Sequence, residues 1–326
     1  MIAMKDTEYT FAVARIRANE TRLINRNELE QMIAAPDVHA VLQLLSDKGW
    51  DTAGAPEDTD RMLRRQTQAL WQLMEEAAPD IRALTFLLAK HDFHNLKAAL
   101  KCTVSARAPE PYWLEPATVP PADIWAAVCA RRFGSLPGEM QSAAQEAYDL
   151  LVRAGDSQRA DSLLDRAALE AVRSRAAGSG SDFAGQIAER ICAAANLKIA
   201  LRAACTGRDE RFLQAALCEC ETLNKHALTA AAARGRQELA GFLSQSAYAG
   251  CVPAAAGGFA AFEKWCDDMV FSRLEGARLV SFGPAPLIAY YIAREREIQN
   301  IRILLSCKRL GLPAERIRER MREAYV

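Results

Sequence analysis

The stretch EREIQNIRIL at residues 295–304 has two fainter copies, DFHNLKAAL at residues 92–100 and AAANLKIAL at residues 193–201. Each copy carries one asparagine, on which the three align: Asn95, Asn196 and Asn300. Successive asparagines lie 101 and 104 residues apart. This period is too long for a solenoid repeat and suits a helical subdomain. The pattern therefore predicts one helical building block that is used three times.

Apolar side chains follow each asparagine at one and at five positions. The pairs are Leu96 with Leu100, Leu197 with Leu201, and Ile301 with Leu305. Residues four positions apart share a helix face, so each copy presents the same two apolar side chains to a neighbour. The asparagine is predicted to bind a neighbouring backbone segment or helix end, because its amide offers two donors and an acceptor.

Basic residues form a second stripe beside the apolar pairs. They are Lys97, Lys101, Lys198, Arg202 and Arg302. No acidic residue stands three or four positions before the first cation of a copy, so the counter-charges must come from elsewhere. Two interpretations stay open: the cations meet acidic groups of a partner, or they pair with acids of this chain. Asp165 and Asp267, which lie 31 and 33 residues before their asparagines, are a weaker echo of the repeat.

Composition predicts an all-α fold. Ala, Leu, Arg and Glu dominate, and alternating runs of β-branched residues are missing. Lys plus Arg and Asp plus Glu are both 41, a balance that argues against nucleic acid or an anionic membrane as the partner. No apolar run has the length of a membrane span or a signal peptide, so we expect a soluble, cytoplasmic protein.

Turn-forming residues divide the chain. A proline-rich connector at residues 105–121 and glycine-containing stretches at 178–181 and 249–258 are predicted to be loops. Together with the repeat, these breaks predict three subdomains, at residues 1–115, 116–220 and 221–326. The prediction leaves open an N-terminal helix that packs against the C-terminal one, which would interleave the subdomains.

The usual marks of an enzyme are weak or missing. Asp267 and Asp268 resemble the aspartate-rich motif with which all-helical prenyl-chain enzymes hold magnesium, but Phe271 stands where the closing carboxylate is needed. His91 and His94 could share a helix face toward a metal, yet two ligands do not make a site. No phosphate-binding loop, zinc-protease motif or serine-hydrolase motif occurs. We therefore predict no catalytic residues, no cofactor, no metal and no nucleotide binding.

Three stretches resemble the family of C subunits of A/V-type rotary ATPases, whose eukaryotic counterpart is the d subunit of the V-ATPase. They are YTFAVARIRANETRLI at residues 9–24, HDFHNLKAALKC at 91–102 and YYIAREREIQNIRILLSCKRLGLPAERIRERM at 290–321. The third stretch is the most specific, because seven of its residues follow the family pattern in order. These are Tyr291, Glu295, Glu297, Asn300, Arg302, Lys308 and Gly311.

The resemblance implies three similar helical subdomains that form a funnel with pseudo-three-fold symmetry and carry no catalytic site. It implies two partners: the central shaft subunits of the soluble ATPase sector, and the membrane rotor ring, contacted on its cytoplasmic side. Such a chain would lie at the inner face of the cell membrane and transmit torque between ATP chemistry and ion movement. The candidates for its shaft or ring interface are the cations Lys97, Lys101, Lys198, Arg202 and Arg302.

The middle copy departs from this pattern. Ala193 stands where the other two copies have an acid, Asp92 and Glu297, which leaves the middle interface and the subdomain boundaries open. Two other functions remain as alternatives: a helical adaptor unrelated to rotary ATPases, and a magnesium-dependent prenyl-chain enzyme. An adaptor built of helical repeats would show a period of about 30 to 50 residues, which is much shorter than the spacing here.

Overall fold

All regular secondary structure is helical in the computed structural model, which describes residues 6–55 and 58–325. This confirms the predicted all-α class for the described residues. The α-helices are α1 Thr10–Glu20, α2 Arg26–Ala34, α3 Val38–Asp47, α4 Thr59–Ala77, α5 Ala89–Ser105, α6 Pro121–Cys129, α7 Gly138–Val152, α8 Ser157–Gly178, α9 Asp182–Thr206, α10 Glu210–Ala216, α11 Lys225–Ala233, α12 Arg236–Ser244, α13 Cys251–Ala256, α14 Phe259–Phe271, α15 Ala285–Arg309 and α16 Ala314–Arg320.

Short 3-10 helices connect several of these elements. They span Asp6–Tyr9, Ile81–Leu88, Glu110–Tyr112, Phe133–Ser135 and Ser272–Leu279. The three repeated asparagines lie on α5, α9 and α15. Within the described ranges, we find no helix that is both long and apolar enough to cross a membrane.

Local sequence signals explain where the middle asparagine helix begins and ends. The Ser181 side chain accepts a hydrogen bond from the Ala184 amide at 3.3 Å and thereby caps the start of α9. Gly207 ends the helix with a positive φ of 65°, a conformation that glycine adopts without a steric penalty. The predicted glycine–serine loop therefore does separate α8 from α9.

The stretch at residues 249–258 was predicted to be a loop, and this is wrong for its central part. It contains the short helix α13, Cys251–Ala256. Pro253 is the third residue of that helix, where the missing N–H would have no intrahelical partner in any case. The alanines around it favour a helix, so the proline marks a helix start here and not a break.

The chain divides into two compact units. The terminal unit comprises the described parts of Met1–Ile81 and Phe271–Val326. Its core gathers α2, α3, α4 and α16 around α15, with fully buried side chains such as Leu45, Leu63 and Ile301. Helix α1 also packs against α15, so N-terminal and C-terminal segments share one unit.

The central unit spans Arg82–Val270 and contains the other two asparagine helices. Helix α8 packs against α5, α7 and α9. A hydrophobic cluster surrounds α9. It completely buries Leu197, Leu213, Leu228 and Phe262. The division into three subdomains with edges near residues 115 and 220 remains a prediction.

Candidate functional site

Each repeated asparagine is buried and binds the backbone of one residue in a later, non-helical segment. Its side-chain N–H donates to the backbone carbonyl of that residue, and its side-chain oxygen accepts from the backbone N–H of the same residue. The donated and accepted distances are 2.9 and 2.8 Å for Asn95 with Leu114, 2.8 and 3.1 Å for Asn196 with Cys218, and 3.1 and 3.0 Å for Asn300 with Arg322. We call this arrangement an asparagine clamp.

The clamps explain why asparagine recurs at this position. Asn95, Asn196 and Asn300 are 0%, 0% and 3% exposed, so an apolar residue in their place would remove both hydrogen bonds that the bound backbone makes to the asparagine. The bound residue follows its asparagine by 19 residues in the first copy and by 22 in the other two. Each clamp thus fixes a returning segment on its own helix.

The six apolar residues of the repeat are all buried, with exposed fractions of at most 4%. They are Leu96, Leu100, Leu197, Leu201, Ile301 and Leu305. In the second and third copies they belong to the hydrophobic core clusters of the central and terminal units, respectively. Their repeated positions therefore reflect packing of the asparagine helices.

A buried carboxylate supports the first clamp. Asp92 is fully buried, and it accepts hydrogen bonds from the backbone N–H groups of Thr118 at 2.7 Å and Val119 at 3.2 Å. The Thr118 hydroxyl also donates to it, and the Arg175 guanidinium lies 2.7 Å away. Burial disfavours the charged guanidinium, but hydrogen bonds and charges from Glu139 and Asp92 raise the pKa of Arg175.

The second clamp obtains its carboxylate from a different turn. Ala193 occupies the position of Asp92, and Glu189, one turn earlier on α9, supplies the acid. Glu189 accepts from the backbone N–H groups of Glu221 and Thr222, both at 2.9 Å, and from the Thr222 hydroxyl at 2.7 Å.

The threonines bound by these two carboxylates are equivalent. Thr118 follows the clamped residue Leu114 by four positions, and Thr222 follows the clamped residue Cys218 by four. The longer glutamate side chain reaches the same point of the returning segment from one turn farther away. The sequence pattern did not reveal Glu189, because the acid was expected at a fixed distance from the asparagine.

The carboxylate beside the third clamp has another role. Glu297, which is 8% exposed, accepts a hydrogen bond from the backbone N–H of Ile24 at 2.6 Å and pairs with Arg294. The Arg294 guanidinium lies over the Trp50 ring, 4.5 Å from its centroid. These contacts tie the N-terminal segment to α15 inside the terminal unit.

Each of the five repeated cations pairs with a carboxylate of the same chain. The nitrogen–oxygen distances are 2.5 Å for Lys97–Asp165, 2.8 Å for Lys101–Asp161, 2.6 Å for Lys198–Asp267, 3.6 Å for Arg202–Glu263 and 2.7 Å for Arg302–Asp60. Internal pairing, one of the two predicted interpretations, therefore occurs. The side chains stay partly exposed, from 22% for Lys97 to 67% for Arg202, so pairing does not remove them from solvent.

Each asparagine helix pairs with an acid on the α-helix that precedes the next asparagine helix, and the third copy returns to the first. Helix α5 pairs with α8, which precedes α9, and α9 pairs with α14, which precedes α15. Helix α15 pairs with α4, which precedes α5, and this closes the series. The sequence echo at Asp165 and Asp267 marked two of the acids. It missed Asp60, whose surroundings do not resemble those of the other two.

The central unit contains a groove of about 810 Å³ that Lys97, Lys198 and Arg202 line. We call it the basic groove. Among the described residues, no group of three or more His, Cys, Asp or Glu side chains is arranged to hold a metal ion. His91 and His94, which also line the groove, instead approach the backbone carbonyls of Pro116 at 2.7 Å and Tyr112 at 3.1 Å.

Comparison with known proteins finds similarity along nearly the whole chain. The C subunit of the V-type sodium ATPase of Enterococcus hirae is 22% identical over 320 residues, which is 95% of this chain and 97% of that protein. The ATP synthase (C/AC39) subunit family matches residues 12–320. The chain therefore belongs to the ATP synthase (C/AC39) subunit family.

Proposed function

We propose that this chain is a non-catalytic central-stalk subunit of a rotary A/V-type ATPase, and that it couples the soluble rotor shaft to the membrane rotor ring. The observation that carries the proposal is the family match over residues 12–320, which includes all three asparagine helices. The relative from Enterococcus hirae, a component of a V-type sodium ATPase, supports the same assignment. The protein would be cytoplasmic and peripheral at the inner face of the membrane.

The proposed shape is a funnel of three similar subdomains with pseudo-three-fold symmetry. Two observations support it. The same asparagine clamp occurs three times, with nearly the same number of residues between asparagine and bound segment. The ion pairs also run from each copy to the next and return from the third to the first, which is the connectivity of a closed ring of three equivalent parts.

A torque-transmitting part must resist shear, and the clamps supply a physical reason why this chain would. Each clamp joins a helix to a later segment by two hydrogen bonds of a buried asparagine, so neither can slide without breaking both bonds. The densely packed apolar core beside each clamp is poorly compressible and transmits strain. The asparagine signature thus has a mechanical role in this proposal.

The proposed partners are the central shaft subunits and the membrane rotor ring, with no bound nucleotide or nucleic acid. We propose further that some of the repeated cations contact acidic groups of the shaft. Lys97, Lys198 and Arg202 are the best placed, because they line one groove and remain 22%, 32% and 67% exposed. Their internal acids hold them in position along the groove.

The proposal is tested by purifying the affinity-tagged chain from its native cells with mild detergent and identifying the co-purifying proteins by mass spectrometry. We expect the shaft subunits and the ring subunit of one rotary ATPase, in constant proportion across repeated purifications. An untagged strain serves as the background control. Recovery of other partners without ATPase subunits would support a free adaptor and contradict the proposed function.

A further inference from the structure

The basic groove has a local excess of positive charge in a chain that is neutral as a whole. Its lining includes the cations Lys90, Lys97, Lys198, Arg202 and Arg208. Among the residues that the structure describes, two carboxylates line it, those of Asp165 and Glu263. Clefts lined by one sign of charge concentrate the field and attract ligands of the opposite sign. The groove is therefore suited to an anionic ligand.

Apolar side chains lie between these cations. Ile199 of α9 lines the groove with a half-buried side chain, and Leu114, the residue held by the first clamp, is 39% exposed there. Phe212 of α10 contributes an aromatic ring. A nucleic acid or a simple polyanion would leave this apolar surface unused. A helix with an apolar face and an acidic face would use both kinds of lining.

Two cations of the groove, Arg202 and Arg208, are weakly held or have no ion pair within the described residues. Arg202 and Glu263 are 3.6 Å apart with side chains 67% and 40% exposed, and an ion pair of this kind contributes little to stability. Nearby in sequence, the Arg208 guanidinium lies over the Phe212 ring, 5.3 Å from its centroid. Among the described residues, no carboxylate lies within ion-pair distance of Arg208. A partner carboxylate can therefore replace Glu263 and bind Arg208 at little cost.

From this geometry we propose that the basic groove binds an acidic amphipathic helix of a partner protein. The apolar face of the helix lies on Leu114, Ile199 and Phe212, and its carboxylates bind Arg202 and Arg208. The tighter pairs Lys97–Asp165 and Lys198–Asp267 keep the groove walls in place. The inference rests on the proposed function in one respect: the natural source of the helix is another protein of the same complex.

The test uses the purified full-length chain and a fluorescein-labelled peptide of about five helical turns, with leucine at positions i, i+3 and i+4 and glutamate elsewhere. Two matched peptides carry lysine in place of glutamate, or glutamine in place of leucine. Fluorescence anisotropy is measured at low and at physiological salt. We expect only the acidic amphipathic peptide to bind well, with affinity falling as salt rises.

Charge reversal locates the binding site. The double variant Arg202→Glu with Arg208→Glu is expected to weaken peptide binding about tenfold or more, since it turns two attractive groups into repulsive ones. The matched control, Arg132→Glu with Arg234→Glu, makes the same change in net charge at two exposed arginines of the central unit outside the groove, and should bind as the unaltered chain does. Circular dichroism checks that both variants keep their helix content.

Three results would overturn the inference: no binding of the acidic amphipathic peptide, equal binding of the peptide without leucines, or equal loss in both double variants. The second would mean that charge alone drives binding. These outcomes are separate from a failure of the proposed function. Co-purification of ATPase subunits without peptide binding would reject only the groove, whereas peptide binding without ATPase subunits would reject only the assignment to a rotary ATPase.

Discussion

The first and second clamps, both in the central unit, hold their returning segments in the same way but draw the supporting carboxylate from different turns. On α5, Asp92 stands three residues before Asn95, is fully buried and is neutralised by a guanidinium. On α9, Glu189 stands seven residues before Asn196, is only partly buried and is held by backbone N–H groups and one hydroxyl.

The difference shows which part of the clamp region is constrained, the amide or its supporting carboxylate. Both helices keep the buried amide at the same place, because its oxygen and its N–H together satisfy the backbone N–H and the carbonyl of one residue. The carboxylate position varies, since a glutamate from one turn farther away reaches the same threonine segment as an aspartate. The two clamps should therefore differ in how much the supporting carboxylate contributes to the free energy of unfolding, and substitutions can measure this.

The largest effect is expected for Asp92→Ala in the first clamp. This change leaves the buried Arg175 guanidinium without one of its carboxylates and removes acceptors for Thr118 and Val119. Breaking a buried ion pair costs about 3 to 5 kcal/mol, so the free energy of unfolding in urea should fall by that order. Glu146→Ala, at an exposed site on α7, is the control. A loss as small as that of the control would show that Arg175 and Glu139 hold this region without Asp92.

Removing the amide of the second clamp should have the next largest effect. Asn196→Ala leaves the backbone N–H and carbonyl of Cys218 buried and unpaired, which costs roughly 2 to 4 kcal/mol. Cys218→Ala keeps the clamp because both bonds are made to its backbone, and it should lose less. Urea unfolding followed by circular dichroism measures both. Equal losses would mean that packing of the Cys218 side chain matters as much as the amide.

Glu189→Gln should destabilise the second clamp by only about 1 kcal/mol. The amide oxygen of glutamine can still accept from Glu221 and Thr222, and the site is partly open to water, so no buried charge is left uncompensated. Thermal unfolding is the measurement, with Glu210→Gln at an exposed position on α10 as the control. A loss as large as that of Asp92→Ala would show that the two carboxylates are equivalent after all.

The surface ion pairs should contribute least. A double-mutant cycle on Lys97 and Asp165, with alanine at one or both positions, is expected to give a coupling of about 0.2 to 1 kcal/mol, because the Asp165 side chain is 63% exposed. The coupling should shrink when the unfolding experiments are repeated at high salt. A coupling that is large and insensitive to salt would contradict a peripheral role for this pair.

The asparagines, their apolar neighbours and the cations could be predicted from the sequence because all of these repeat at helical spacing within a single helix. Asp165, Asp267 and Asp60 pair with the first cation of each copy. The first two of these acids were marked in the sequence as an echo of the repeat. Leu114, Cys218 and Arg322, the residues that the asparagines bind, could not be predicted. Those residues lie in non-helical segments and contribute only backbone atoms, which leave no mark on side-chain identity.

The cysteines illustrate the same limit. Cys218 and Cys220 stand two positions apart in the sequence, and the structure places both at the side-chain amide of Asn196. The thiol of Cys218 lies 3.5 Å from the side-chain oxygen of that asparagine, and the sulfur of Cys220 accepts from its N–H at 3.2 Å. Nothing in their spacing along the chain indicates a buried asparagine from another helix.

The sequence by itself determined the helical class, the triplicate pattern and the faces that pack, since these follow from composition and from the 3.6-residue period of a single helix. Only the tertiary structure decided which backbone each asparagine holds, which acid each cation meets, and that Glu189 replaces the acid missing at position 193. The physical reason is that hydrogen bonds and ion pairs between distant segments depend on distances in space, and the helical period carries no information about those distances.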